Sequence, residues 1–83
     1  MTKGEAAALA LAYLGDPDAV VESAHWVEKR WVVTVRGDLR PPRDGPVGVE
    51  RRRGFTCRAA TVWFDPDRRQ PGEPVAVEAW EWS

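Results

Sequence analysis

The sequence predicts an α+β fold, in which one N-terminal helix packs on a mostly antiparallel, meander-like sheet of four to five strands. Two observations support this prediction. A capped run of strong helix formers opens the 83-residue chain, and after Asp18 apolar residues alternate along segments that turn residues separate. A chain of this length is expected to form a single domain over residues 1–83. A cystatin-like sheet that wraps around its helix is one arrangement of this class.

The helix is expected between Thr2 and Gly15. Thr2 and Glu5 have the spacing of a capping box, in which each side chain accepts a hydrogen bond from a backbone N–H of the first turn. Gly15 suits a C-terminal cap, and the proline two residues later cannot continue the helix. The apolar residues at spacings of three and four, which should face the sheet, are Ala7, Ala10, Leu11 and Leu14.

Two strands are expected next, over residues 19–27 and 30–36. Glu28 and Lys29 could form a tight connection between them, although neither is the Gly or Asn that two-residue hairpins prefer. This connection would place Trp26 opposite Trp31. The drier side of the two strands, which should lie against the helix, contains Ala24, Trp26, Trp31, Val33 and Val35.

The rest of the chain predicts a loop over 37–46, a short strand over 47–53, a longer strand over 55–65 and a final strand over 74–82. The last two strands are apolar on both sides, yet one short helix covers only one face. We therefore expect Trp63, Trp80 and Trp82 to supply an exposed aromatic surface, which is typical of an interface. The alternative is a β-bulge near Ala79 that turns Trp80 and Trp82 back inward.

Composition narrows the class of protein. Twelve basic and thirteen acidic residues give a formal charge of -1, which does not favour a general nucleic-acid binder. The single cysteine, Cys57, precludes an intrachain disulfide and is expected to be a buried, inert thiol. The longest mainly apolar run, residues 6–14, is far shorter than the roughly 20 residues of a membrane span. We expect a soluble, cytoplasmic protein, and the Ala-, Arg-, Asp- and Pro-rich usage suggests a bacterial source.

No residue set has the spacing of a catalytic or metal site. His25 is the only histidine and has no nearby cysteine or histidine, so a surface side chain is its expected role. The acidic pairs at 16/18 and 65/67 flank prolines, where carboxylates cap turns. We therefore expect no enzyme, cofactor or metal site.

The arginines Arg51, Arg52, Arg53 and Arg58 form a basic patch with two interpretations. They could contact phosphates while neighbouring aromatic rings stack on bases. Alternatively, they pair across strands with Glu73, Glu78 and Glu81, which the near-zero net charge favours.

Three segments carry a family likeness: Glu5-Ala6 with Tyr13-Leu14, then Trp31-Val32-Val33, then Gly45-Pro-Val-Gly-Val-Glu-Arg51 leading to Gly54. Their order resembles the YrhB-like immunity-protein family found beside polymorphic toxins. The likeness covers residues 5–59. It departs from the family pattern in two ways: Pro46 directly follows Gly45, and the Trp-rich ending is not part of the likeness. It implies a small cytosolic inhibitor or binding partner rather than a catalyst.

The function predicted from these observations is a non-catalytic binding protein, of the immunity type, that occludes a partner toxin. The alternatives are a nucleic-acid-binding accessory module that uses Arg51–Arg53, and a small-molecule binder or small enzyme at a dimer interface. A homodimer that forms through the sheet face or its edge is also expected. The expected partner-binding residues are Trp63, Trp80, Trp82, Arg51, Arg53 and Arg58.

Overall fold

A computed structural model of the chain describes residues 1–40, 56–67 and 73–82. Their elements are α1 (Lys3–Leu14), β1 (Val20–Val27), β2 (Arg30–Leu39), β3 (Cys57–Phe64) and β4 (Pro74–Trp82). The four strands form one antiparallel sheet in the order β1-β2-β3-β4. The predicted α+β fold with a meander-like sheet is confirmed. The short strand predicted over 47–53 lies outside the described residues.

The start and end of α1 follow the predicted capping signals. The Thr2 hydroxyl accepts from the Glu5 backbone N–H at 3.2 Å, and the Glu5 carboxylate accepts from the Thr2 backbone N–H at 3.2 Å. Gly15 ends the helix with φ 75°, and its N–H donates to the Leu11 carbonyl at 3.1 Å.

The buried side of α1 differs by about one position from the predicted stripe. Its fully buried residues are Ala6, Ala10 and Leu14, whereas Ala7 and Leu11 are half-buried. Leu11 packs against the core from its margin.

The sheet has an inner face, which α1 covers by packing against β1 and β2. The buried inner-face residues of the four strands include Ala24, Val33, Val35, Leu39, Cys57, Ala60, Val62, Phe64 and Val77. They form the core together with the buried side chains of α1. The predicted placement of the helix on the drier side of the first hairpin is therefore correct.

The connection between β1 and β2 is the two-residue turn that was predicted. Val27 pairs with Arg30, and Glu28 and Lys29 both have positive φ, at 49° and 66°. Two consecutive positive φ values define a type I′ turn, whose twist matches that of the paired strands.

Strand β2 continues through Leu39, although the glycine at position 37 predicted a loop from there on. Gly37 has φ 152° and lies where the pairing with β3 shifts, between Arg36 and Leu39. The glycine thus accommodates an irregularity within the strand rather than ending it. Beyond it, the Arg40 N–H donates to the Leu14 carbonyl at 3.1 Å, which joins the end of β2 to the end of α1.

Candidate protein-binding face

The outer face of the sheet lies opposite α1. Among the described elements, none packs on it. Its residues, assigned from their alternation with the buried positions, include Val20, Ser23, His25, Val27, Arg30, Val32, Thr34, Arg36, Ala59, Thr61, Trp63, Ala76, Glu78 and Trp80. The two tryptophans of this face, Trp63 and Trp80, lie on neighbouring strands. A row of paired polar residues separates them, formed by Ser23, Thr34, Thr61 and Glu78.

Trp80 is the most exposed aromatic residue of the outer face, with 43% of its surface accessible. Its position is nevertheless fixed from two directions. The indole Nε1–H donates to the Thr61 hydroxyl at 3.1 Å, and the Arg36 guanidinium carbon lies 5.2 Å from the ring centroid. The second contact has the geometry of a cation–π interaction.

Arg36 is in turn held between two carboxylates. Its Nε donates to Glu22 at 3.0 Å, and its Nη1 donates to Glu81 at 2.6 Å. These hydrogen bonds, first that to Glu22 and then that to Glu81, raise the pKa of Arg36 above its ordinary value. Because all three side chains are well exposed to solvent, the ion pairs stabilise the fold little. The ion pairs instead orient Arg36. They connect β1, β2 and β4 and hold the guanidinium over the Trp80 ring.

The sequence did not indicate this cluster of Glu22, Arg36, Trp80 and Glu81. The signal available in the sequence was alternation along the strand, which places Arg36 on the face away from the helix. Glu81 was expected to pair with arginines of the basic patch, but its described partner is Arg36. Glu22 lies where the β1–β2 pairing shifts, between Val21 and Ser23, so simple alternation does not predict its position.

Trp63 and Trp82 lie on different faces. Trp63 is half-buried on the outer face, where it pairs with Val32 and Ala76. Trp82 pairs with Cys57 and packs against the core from the inner face. The prediction that Trp80 and Trp82 share one face is therefore wrong.

The cause is an irregularity in the β3–β4 pairing. Ala60 pairs with Ala79, but the adjacent Ala59 pairs with Glu81, so Trp80 is an extra residue on β4. The extra residue reverses the alternation beyond it and turns Trp82 inward. The bulge expected as the alternative is thus present near Ala79, but it turns only one of the two tryptophans inward.

The predicted basic residues are only partly described. Arg58 is exposed on β3. Arg51 and Arg53, together with Arg52, lie outside the described residues, so the basic patch stays a prediction.

Trp26 and Trp31 form the predicted cross-strand pair. Their ring centroids are 5.4 Å apart, with an edge-to-face angle of 64° between the planes. Trp31 is half-buried, and its Nε1–H donates to the Met1 carbonyl at 3.3 Å. Trp26 remains 51% exposed, so the expectation that the helix covers both rings is wrong for Trp26. Trp31 packs against the core.

The described side chains that could act in catalysis or metal binding lie apart from one another. Cys57 is buried, and this burial raises the pKa of its thiol. His25 is exposed on the outer face. Over residues 1–40, 56–67 and 73–82, no three His, Cys, Asp or Glu side chains are grouped so that they could hold a metal ion.

One open groove of about 370 Å³ adjoins the C-terminal end of α1, away from His25 and Trp80. It is lined by Leu11, Ala12, Gly15, Asp16, Pro17 and Ala19. The described part of the chain contains no helix that is long and apolar enough to cross a membrane. Comparisons with protein-family models, with curated proteins and with solved structures found no match.

Proposed function

We propose that the chain is a non-catalytic binding protein that docks a protein partner on the outer face of its sheet. The observation that supports this proposal is Trp80, which is exposed and yet held by Thr61 and Arg36. Tryptophan and arginine are enriched among the residues that contribute most to protein interfaces. A ring that is already oriented loses little conformational entropy on binding, so its burial favours the complex.

The proposed partner is a toxin, and the proposed mechanism is occlusion of the toxin's functional surface. This class of partner is what the resemblance to the YrhB-like immunity proteins implies for a bacterial, cytoplasmic chain. Trp80 and Trp63 would contact the partner, with Arg51, Arg53 and Arg58 as proposed rim residues. Trp82 would support the sheet from the inner face.

A protein partner fits the charges around Trp80 better than a nucleic acid does. The described carboxylates of Glu22, Glu78 and Glu81 lie on this side, and two of them already bind Arg36. A surface that contacts phosphates needs an excess of cations. We also propose that the chain forms homodimers, which is a separate association with its own interface.

The test is affinity capture from the native host with the tagged full chain, compared with two single variants. Trp80→Ala removes the outer-face ring, and Trp26→Ala removes a similarly exposed ring from another part of the sheet. We expect the unmodified chain and Trp26→Ala to retain the same protein at near-stoichiometric yield, and Trp80→Ala to lose it. Absence of any such protein, or equal retention by Trp80→Ala, would contradict the proposal.

A second measurement addresses the nucleic-acid alternative. Fluorescence anisotropy of labelled single- and double-stranded oligonucleotides at low salt should not change when the chain is added. Binding that weakens steeply as salt increases would instead support the phosphate-contacting role of the basic patch.

A further inference from the structure

We infer that the edge of β1 is the surface through which two copies of this chain pair, so that their sheets join into one. The inference rests on the homodimer proposed above and identifies its interface. It is independent of the outer-face site for a protein partner.

The first observation is the position and composition of β1. Within the described sheet, β1 is an edge strand, with β2 as its neighbour. Edge strands usually avoid pairing with other chains by means of charged side chains, proline or a β-bulge. In β1 these features, Glu22 and the shift in pairing between Val21 and Ser23, lie near the beginning of the strand. The remaining residues 23–27, SAHWV, contain no lysine, proline or carboxylate.

The second observation is where apolar surface is exposed. In the described ranges, four large hydrophobic residues are exposed, and three of them lie on β1. These are Val20 at 66%, Trp26 at 51% and Val27 at 49%. The fourth is Trp80, on the other edge strand. Apolar surface concentrated on one edge is the pattern expected of a strand that pairs with another copy.

The turn after β1 determines which backbone groups point outward. In a two-residue hairpin, the residues that flank the turn, here Val27 and Arg30, exchange backbone hydrogen bonds. Hydrogen-bonded and non-hydrogen-bonded pairs then alternate along the ladder. The N–H and C=O groups of Ala24 and Trp26 therefore point away from β2, toward a strand that would extend the sheet.

Two β1 strands related by a two-fold axis can form hydrogen bonds with each other through these outward-pointing N–H and C=O groups. An antiparallel pair centred on His25 places Ala24 of each copy opposite Trp26 of the other, on the same side of the sheet. The large indole would then lie over a small side chain, with both Trp26 rings removed from solvent.

The β1 bulge limits the length of this ladder. The pairing of β1 with β2 shifts between Val21 and Ser23, so the regular part of the strand is 23–27. Five residues bury much less than the roughly 1,200–2,000 Å² of a stable interface. The dimer should therefore be weak, and it should be studied at concentrations on the order of 100 µM or more.

Disulfide trapping in the full chain tests the predicted geometry. Residues at a non-hydrogen-bonded position have Cα atoms about 4.5 Å apart, which a disulfide can span. His25→Cys should form a reducible dimer under mild oxidation. Glu78→Cys, an exposed position on the outer face of β4, is the matched control and should stay monomeric. Equal rates of crosslinking for the two variants would overturn the inference.

Sedimentation of Trp26→Lys and Val27→Lys provides the second readout, because each places a charge on the exposed edge. Each should raise the dimer dissociation constant at least about tenfold. Trp26→Lys, which alters the inner side of β1, should retain the partner that Trp80→Ala loses, so failure of this inference and failure of the proposed function are distinguishable. Unchanged self-association in both folded lysine variants would also refute the β1 interface.

Discussion

The carboxylate of Asp16 accepts a hydrogen bond from the backbone N–H of Asp38 at 2.7 Å. Its other oxygen accepts from the Asp18 N–H at 2.9 Å, which closes a local turn. One side chain thus stabilises the α1–β1 connection and attaches it to β2, 22 residues later in the chain. Helix and sheet are joined here by a polar contact as well as by the core.

Replacing Asp16 with alanine should lower the free energy of unfolding by about 1–2 kcal/mol, because two hydrogen bonds to a charged acceptor are lost. Urea unfolding followed by tryptophan fluorescence would measure the change. Asp18→Ala is the control, and as an exposed substitution it should stay within about 0.5 kcal/mol of the unmodified chain. A similar loss in both variants would argue against the Asp16–Asp38 contact as the cause.

The glycine at position 37 is required by this same contact. A Cβ atom there would lie 2.8 Å from the Asp16 Oδ2 and 3.0 Å from the Ala19 Cα, and φ is 152°. Gly37→Ala should therefore destabilise the fold by about 1–3 kcal/mol. Gly4→Ala in α1 has no neighbour within 4 Å and should stabilise it by up to about 1 kcal/mol. The midpoint temperature of thermal unfolding should fall for Gly37→Ala and rise for Gly4→Ala.

The hairpin turn offers a stabilising substitution. Glu28 and Lys29 both adopt positive φ, which costs a residue with a side chain roughly 1–2 kcal/mol relative to the right-handed region. The double substitution Glu28→Asn with Lys29→Gly introduces the two residue types that tolerate this conformation best. It should raise the free energy of unfolding by about 1 kcal/mol and leave partner capture unaltered. No increase in the urea midpoint would contradict the assigned turn.

Stability should fall at alkaline pH, in part because of Cys57. Burial raises the pKa of this thiol, so the folded state keeps its proton while the unfolded thiol ionises above a pH of roughly 8.5. The contribution of the protonated thiol is present below that pH and is lost as the pH rises toward the folded pKa. Between about pH 8 and 10 the unmodified chain should lose stability more steeply than Cys57→Ala. Parallel pH profiles would contradict this origin.

The cluster of Glu22, Arg36, Trp80 and Glu81 should affect binding of the partner more than the stability of the fold. Arg36→Ala breaks two exposed ion pairs and exposes the face of the Trp80 ring, so the free energy of unfolding should change by less than about 1 kcal/mol. Retention of the captured partner should fall markedly because the ring is no longer held. Arg36→Lys keeps the positive charge but loses the simultaneous contact with Glu22 and Glu81. Its retention of the partner should lie between those of the unmodified chain and Arg36→Ala.

The sequence predicted the elements because their signals are local. The Thr2–Glu5 box and Gly15 determine where α1 begins and ends, through backbone groups that only a cap can satisfy. Alternation similarly identified β1 and β4. The extension of β2 was not predicted, because it depends on a contact between Gly37 and the α1–β1 connection rather than on neighbours in sequence.

The candidate site was less predictable than the fold. Alternation assigns residues to a face only while each residue pairs with one residue of the neighbouring strand. Trp80 is an extra residue on β4, so the alternation does not continue in phase beyond it. Trp63 and Trp80 were placed on the outer face as expected, whereas Trp82 was not. The grouping of Glu22, Arg36 and Glu81 requires the spatial order of the strands, so it follows from the topology and not from any motif.

The edge-to-face pair of Trp26 and Trp31 gives this small protein an optical signature. Two indoles whose centroids lie 5.4 Å apart, at 64° to each other, should couple their electronic transitions and give an exciton couplet in the far-ultraviolet circular dichroism. The couplet arises only when β1 and β2 are paired across their turn. It would therefore allow formation of the first hairpin to be timed separately from consolidation of the rest of the sheet.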